Sequence, residues 1–209
     1  MKLRSFLASV ALFTFGLYAF APPVFPQSKK QTPDGDVSME VVGAVFNASP
    51  AASIQYGYIT YINGLDNIFS GSPQNETTAL FTFYSDTSTA RVINNGPLRV
   101  VNRVGTFTVY LDNTPDGDFS NPDSFRDGTP LMTGTLRHQV VLNTITNTFV
   151  TTFVITITST DPFISADNQN VAIGKRGQKL RLTVFGQPST SGAGQFVIAG
   201  YVAGGDLTR

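Results

Sequence analysis

The chain has 209 residues, of which 11% are aromatic and 13% are charged, and its 14 basic and 14 acidic residues balance. This balance excludes the strongly basic surface on which nucleic-acid binding depends. The chain contains no cysteine, so disulfide staples and cysteine catalysis are both excluded. Many aromatic and few charged residues predict a packed core rather than disorder.

The first residues predict a signal peptide over 1–27. Lys2 and Arg4 precede an apolar run from Phe6 to Phe20, which is the order of charge and hydrophobicity in an export signal. The run is short for a membrane span and leads into polar sequence, so we expect no membrane span in the mature chain. The predicted location is secreted or periplasmic.

The rest of the chain predicts one domain. The polar segment 28–37 contains Pro and Gly and predicts a flexible mature N-terminus, followed by an all-β domain over 38–209. Removing 1–27 takes away two bases and no acid, which leaves a net charge of −2 and no reason to expect a nucleic-acid partner. About 180 residues are enough for one domain with its own core.

Hydrophobic residues recur with a period of two, which is typical of β-strands. Ten runs show this pattern: 41–47, 54–63, 77–85, 89–93, 98–101, 105–111, 131–142, 149–158, 179–186 and 195–203. Turn residues such as Asn95-Gly96-Pro97 separate them. Many short strands predict an antiparallel β-barrel, with a two-sheet sandwich or jelly roll as the alternative and a membrane-spanning barrel as the third choice.

The segment Gly192–Tyr201, with the sequence Gly-Ala-Gly-Gln-Phe-Val-Ile-Ala-Gly-Tyr, resembles a glycine-rich segment of the dirigent and allene-oxide-cyclase-like barrels. Those proteins are eight-stranded antiparallel barrels that hold apolar ligands. The resemblance covers these ten residues, with Ala193 where threonine is usual and one residue fewer before Gly200. It favours the barrel over the sandwich and implies no functional residue.

An acidic stretch from Asp112 to Asp123 has the spacing of a calcium-binding loop, with Gly117 at its sixth position. The predicted metal ligands are Asp112, Thr114, Asp116, Asp118, Ser120 and Asp123. Clustered carboxylates repel one another, and Ca²⁺ would relieve that repulsion. The alternative is an exposed connection between strands, because Asp, Asn, Gly and Pro are also turn residues.

Three other residues are candidate ligand-binding positions. Tyr56 and Tyr58 share one face of a strand, where aromatic rings can stack on a sugar or line a barrel mouth. His138, the only histidine, lies on an otherwise apolar strand face, where a hydrogen-bonded core residue is the simpler interpretation. The catalytic residues are unknown, because no nucleophile or phosphate-binding motif is present.

The sequence therefore predicts a secreted, non-enzymatic β-domain that binds a small apolar or glycan ligand. One alternative is an extracellular structural or assembly protein with a Ca²⁺-stabilised loop, and Ca²⁺ is the only cofactor the sequence indicates. Another is a barrel-type isomerase or cyclase, in which His138 or a carboxylate would point into a pocket.

Overall fold

The computed structural model describes residues 37–189, 195–204 and 207–208. The predicted signal peptide and all of segment 28–37 except Val37 lie outside the described residues. The described part contains eleven strands and one short 3₁₀ helix, Pro122–Phe125. The strands are β1 (Val37–Ser49), β2 (Ala52–Ile62), β3 (Phe81–Asn95), β4 (Leu98–Leu111), β5 (Thr129–Asn143), β6 (Thr148–Thr160), β7 (Phe163–Ile164), β8 (Asn170–Ile173), β9 (Lys179–Pro188), β10 (Gln195–Ala203) and β11 (Leu207–Thr208).

Eight of these strands form a closed antiparallel barrel, which confirms the predicted fold class. Their order around the barrel is β1-β10-β9-β6-β5-β4-β3-β2, and β2 pairs with β1 to close it. Closure leaves no unpaired edge in this sheet, so the barrel avoids the exposed edges of an open sheet. In the described residues, no helix is long and apolar enough to span a membrane.

The structure corrects the predicted strand boundaries at two places. The run 89–93 and the part of the run 77–85 from Phe81 onwards belong to the single strand β3, and the runs 98–101 and 105–111 belong to the single strand β4. Polar residues that face the barrel interior, such as Thr87 and Arg103, interrupt the hydrophobic alternation there without ending the strand. The small sheet of β7, β8 and β11 was not predicted, because its strands have only two to four residues.

The two ends of the barrel differ in how the strands are connected. At one end, short turns join β1 to β2, β3 to β4 and β5 to β6, and the β9–β10 connection contains residues 190–194, which are not described. At the other end, longer segments join β2 to β3, β4 to β5 and β6 to β9. We call these the hairpin end and the loop end.

The hydrophobic core fills the middle of the barrel and the loop end. Inward-facing side chains from all eight strands form one cluster, whose fully buried members include Phe83, Leu136, Ile155 and Leu182. Phe163, Val171 and Ile173 of the small sheet belong to the same cluster. The β7–β8–β11 sheet therefore adds apolar side chains to the core at the loop end.

Candidate functional site

A cavity of about 470 Å³ opens at the hairpin end of the barrel. Its walls come from β1, β2, β4, β5, β6, β9 and β10, so it lies inside the barrel and above the packed core. Ligand pockets typically have volumes of roughly 300–1,000 Å³. The described residues that line it are Val45, Asn47, Ala48, Ser49, Pro50, Gln55, Arg99, Val101, Arg103, His138, Val140, Leu142, Phe149, Thr151, Phe153, Val184 and Phe196.

One wall of the cavity is apolar. Val140 and Leu142 on β5 lie beside Phe149 and Phe153 on β6, with Val184 and Phe196 continuing this surface onto β9 and β10. The rings of Phe149 and Phe196 meet at a centroid distance of 5.4 Å and are nearly perpendicular. Aromatic pairs prefer such an edge-to-face arrangement, which holds both rings in place and gives this wall a defined shape.

The opposite wall is polar, beginning with a buried network on β2 and β3. Gln55 lines the cavity and donates from Nε2 to Ser53 Oγ at 2.7 Å, while Ser85 Oγ donates to Gln55 Oε1. Thr87 Oγ1 donates to the Ser53 carbonyl oxygen at 2.7 Å. These partners satisfy buried polar groups that would otherwise destabilise the barrel interior.

Two arginines from β4 continue the polar wall. Arg99 lies near the β3–β4 turn, and Arg103 lies four residues further along β4. Both side chains line the cavity. Arg103 donates from Nη2 to Asn47 Oδ1 at 3.1 Å and from Nε to Thr89 Oγ1 at 3.2 Å. Burial, and then the charge of Arg99, lower the pKa of Arg103 below its ordinary value. Both partners of Arg103 are neutral.

His138 stands beside Arg103, because the two residues are register partners on β5 and β4. Its side chain is only 4% exposed, and its ring packs edge-on against Phe153 at 4.9 Å. Neither ring nitrogen has a hydrogen-bond partner in the described part of the chain. Burial, and then the charge of Arg103, lower the pKa of His138 to about 3, so the imidazole is neutral at neutral pH. Its buried position was predicted, but its lack of a partner was not.

The buried imidazole should make stability depend on pH. An unfolded histidine has a pKa of about 6.5, whereas folded His138 has a pKa of about 3, so the unfolded chain takes up the proton first as the pH falls. The stabilisation is therefore complete above about pH 6.5 and is lost towards pH 3. We expect the free energy of unfolding to drop by about 2 kcal/mol between pH 7 and pH 5.

Urea unfolding at pH 7, 6 and 5 measures this drop, and the substitution His138→Phe provides the control. The chain has a single histidine, so the imidazole contribution, given by the difference between the two profiles, belongs to one residue. The variant should show a much flatter profile, since phenylalanine does not titrate. An equal drop in both proteins would contradict the assignment.

The structure places Tyr56 and Tyr58 on the outside of the barrel rather than at the cavity mouth. Tyr56 is fully buried beneath Phe125 and Phe119 of the β4–β5 connection, and its hydroxyl donates to the Phe119 carbonyl oxygen at 3.0 Å. Tyr58 packs against Phe119 and against Phe69 of the β2–β3 connection. The two loops fold back over this face of β2, which sequence periodicity could not show. Neither tyrosine lines the cavity that contains His138.

Several of the predicted ligands in the acidic loop make local contacts with neighbouring residues of the same loop. Asp118 accepts hydrogen bonds from the backbone and hydroxyl of Ser120, which lower the pKa of Asp118. Asp123 pairs with Arg126 at 2.7 Å. Thr114 donates its backbone N–H to Asp112 Oδ1 at 2.9 Å. These local contacts are typical of a turn. Asp118 and Ser120 bond to each other, and Asp123 pairs with Arg126 instead of with them.

Three carboxylates of this loop do converge, although only two of them belong to the predicted ligand set. Asp112, Asp116 and Asp127 each place an oxygen within 4.8 Å of the others, and Asp112 is buried. Burial, followed by the charges of Asp116 and Asp112, raises the pKa of Asp127. Asp127 lies beyond the twelve-residue spacing of the predicted calcium loop, and only the fold of the β4–β5 connection brings it to Asp112 and Asp116.

The fold and the cavity define this protein as a closed eight-stranded antiparallel barrel with an internal cavity that is apolar on one side and polar on the other. Comparison with known proteins gives no match among protein families, curated proteins or solved structures. Functional inference therefore depends on the cavity itself.

Proposed function

We propose that this is an exported binding protein that holds a small, mainly apolar ligand in the barrel cavity. The observation that carries the proposal is the cavity of about 470 Å³ at the hairpin end, one wall of which consists of aliphatic and aromatic side chains. Core side chains in a barrel without a ligand site pack to high density, so a space of this size is unusual. Removing apolar ligand surface from water would drive binding.

The aromatic residues favour an apolar ligand over a glycan. The tyrosines that were expected to stack on a sugar are covered by Phe119 and Phe125, whereas the aromatic rings facing the cavity are phenylalanines without a hydroxyl. The predicted signal peptide supports a role outside the cytoplasm. The described residues that line the cavity include no carboxylate, which favours binding over acid–base chemistry that would pair His138 with an acid.

A tryptophan placed in the cavity should abolish binding. Val140 is partly buried and lines the cavity, so the indole of Val140→Trp would occupy space that the ligand needs. We expect the neutral fluorescent probe N-phenyl-1-naphthylamine to bind the wild type, and its affinity for Val140→Trp to fall by at least about tenfold, since losing even part of the buried apolar contact costs more than 1.4 kcal/mol. Fluorescence titration measures both affinities.

The matched control is Val141→Trp. Val141 is the next residue on β5 and pairs with Val100 and Val150 on the outer face, so the same substitution there leaves the cavity unchanged. The probe should bind Val141→Trp as it binds the wild type. If the wild type does not bind the probe, or if both variants bind it equally well, the proposed function is wrong.

A second candidate is a structural role for the acidic loop, stabilised by Ca²⁺ in an extracellular assembly. The convergence of Asp112, Asp116 and Asp127 supports it, because three close carboxylates are the kind of oxygen ligands that Ca²⁺ prefers. An ion there would draw the end of β4 towards the start of β5. This role is compatible with ligand binding at the opposite end of the barrel.

Addition of Ca²⁺ at millimolar concentration should raise the melting temperature by about 3 °C relative to the protein in chelator. Asp116→Asn should remove this increase, while Asp86→Asn, an exposed acid on β3, should keep it. Size-exclusion chromatography with and without chelator then shows whether assembly depends on the ion. An unchanged melting temperature in the wild type would remove calcium from consideration.

A further inference from the structure

We propose that the ligand is an amphiphile with one carboxylate group, which Arg99 and Arg103 bind at the cavity mouth while its apolar chain lies against the opposite wall. This inference deepens the proposed function and rests on it. It names the chemical class of the ligand, and it assigns the two arginines as specificity-determining residues.

The first reason is that the two guanidinium groups have no counter-charge among the described residues. In the part of the chain that the structure describes, the one ion pair joins Asp123 to Arg126, on the β4–β5 connection at the loop end. No acidic residue is among the described residues that line the cavity. The hydrogen bonds of Arg103 go to the amide oxygen of Asn47 and the hydroxyl of Thr89, which orient the guanidinium without neutralising it.

The second reason is burial. Arg103 is partly buried inside the barrel, and desolvation together with the neighbouring charge of Arg99 lowers its pKa. A partly desolvated charge without a partner destabilises the protein, and an anion bound beside it would offset that cost. Charge-assisted hydrogen bonds from arginine to a carboxylate are also short and can be bidentate. The ligand group that best complements this wall is therefore an acid.

The third reason is the division of the cavity into two sides. On β4 the inward-facing arginines alternate with Val101, whereas β6 contributes Phe149 and Phe153 to the cavity. Arg99 is the register partner of Leu142, and Arg103 that of His138, so the change from charged to apolar surface occurs between β4 and its neighbour β5. A ligand that is charged at one end and apolar along the rest matches this arrangement. A wholly apolar ligand would leave the two charges facing it unpaired.

Neutral His138 fits the same ligand. Its ring nitrogens offer one donor and one acceptor, and neither has a partner among the described residues. The imidazole packs on Phe153 and lies beside Arg103, where the charged and the apolar walls meet. Because it is neutral, it adds no third positive charge at this boundary.

The test compares decanoate with 1-decanol, which share the same chain length and differ in the acid group, with acetate as the anion without a tail. Each is used to displace N-phenyl-1-naphthylamine from the purified protein at neutral pH. Decanoate should bind at least about tenfold more tightly than 1-decanol, since hydrogen bonds to charged groups contribute more than neutral ones. Acetate should not displace the probe at the same concentration.

The variant Arg99→Gln/Arg103→Gln should bind both decyl compounds with similar affinity. Arg137→Gln is the control, because Arg137 is exposed and pairs with Val104 and Val154 on the outer face of the barrel. It should keep the wild-type preference. Arg103→Lys retains the charge and should keep a reduced preference for decanoate, and circular dichroism establishes that each variant is folded.

The possible outcomes separate this inference from the proposed function. Equal affinity of the wild type for decanoate and 1-decanol would overturn the acid-binding role even if both bind well, and this comparison needs no variant. A preference for decanoate that survives in the double glutamine variant would overturn the assignment to Arg99 and Arg103. Failure to bind the neutral probe or either decyl compound would overturn the proposed function as well.

Discussion

Replacing Gly105 by valine is expected to lower the free energy of unfolding by at least about 3 kcal/mol, the upper range for overpacking a protein interior. Gly105 faces Thr87 on β3 and Leu136 on β5, and the backbone of β3 passes directly over its α-carbon. A β-carbon at this position would overlap the carbonyl group of Asp86, so β3 and β4 would have to separate. Natural domains are stable by only about 5–15 kcal/mol, so this loss is a large share of the total.

Urea denaturation followed by circular dichroism measures the effect, and Gly71→Val serves as the control. Gly71 lies in the β2–β3 connection with no atom within 4 Å of the position that its β-carbon would take. The control should change stability by less than about 0.5 kcal/mol. Similar stability of the two variants would show that β3 and β4 do not approach as closely as the structure places them.

Phe125→Ala is expected to destabilise the protein by about 3–5 kcal/mol, the usual cost of truncating a buried phenylalanine. Phe125 ends the 3₁₀ helix, is fully buried and packs against Tyr56 at 5.4 Å and Phe119 at 5.1 Å. Its loss would leave a cavity between the acidic loop and the outer face of β2. The loop would then lose the ring that attaches it to the barrel.

The matched control for this substitution is Phe185→Ala on β9. Phe185 also lies on the outer face of the barrel, but it is 58% exposed, so its truncation should cost less than about 1 kcal/mol. Both variants can be compared by urea denaturation at the same pH. If they prove equally stable, the aromatic cluster of Tyr56, Phe119 and Phe125 does not anchor the loop.

Two charged regions of opposite sign lie at opposite ends of the barrel. The hairpin end presents Arg99 and Arg103 without acidic partners among the described residues, and the loop end presents the converging Asp112, Asp116 and Asp127. A ligand at one end would meet a cavity, whereas an ion at the other would meet a surface loop. Their tests are independent, because neither set of substitutions touches the other end.

Polar residues in the barrel interior explain why β3 and β4 were each predicted as two strands. Predicted strands were broken near Thr87 and Arg103, because polar residues usually mark the end of a buried face. In the structure both strands continue through these positions, and the polar side chains face the interior close to the cavity. A charged residue at an inward position of a long alternating strand, such as Arg103, was therefore the sequence feature that could have indicated the cavity.

Strand periodicity, turn residues and composition were enough to predict an antiparallel all-β domain, because the side-chain alternation of a strand is a local property. The assembly of the cavity was not predictable in this way. Register across β4 and β5 brings Arg103 to His138, thirty-five positions later in the chain, and loop packing decides that Tyr56 is covered rather than open. These contacts depend on how distant segments pair and pack. The alternation of hydrophobic and polar residues along a strand determines neither.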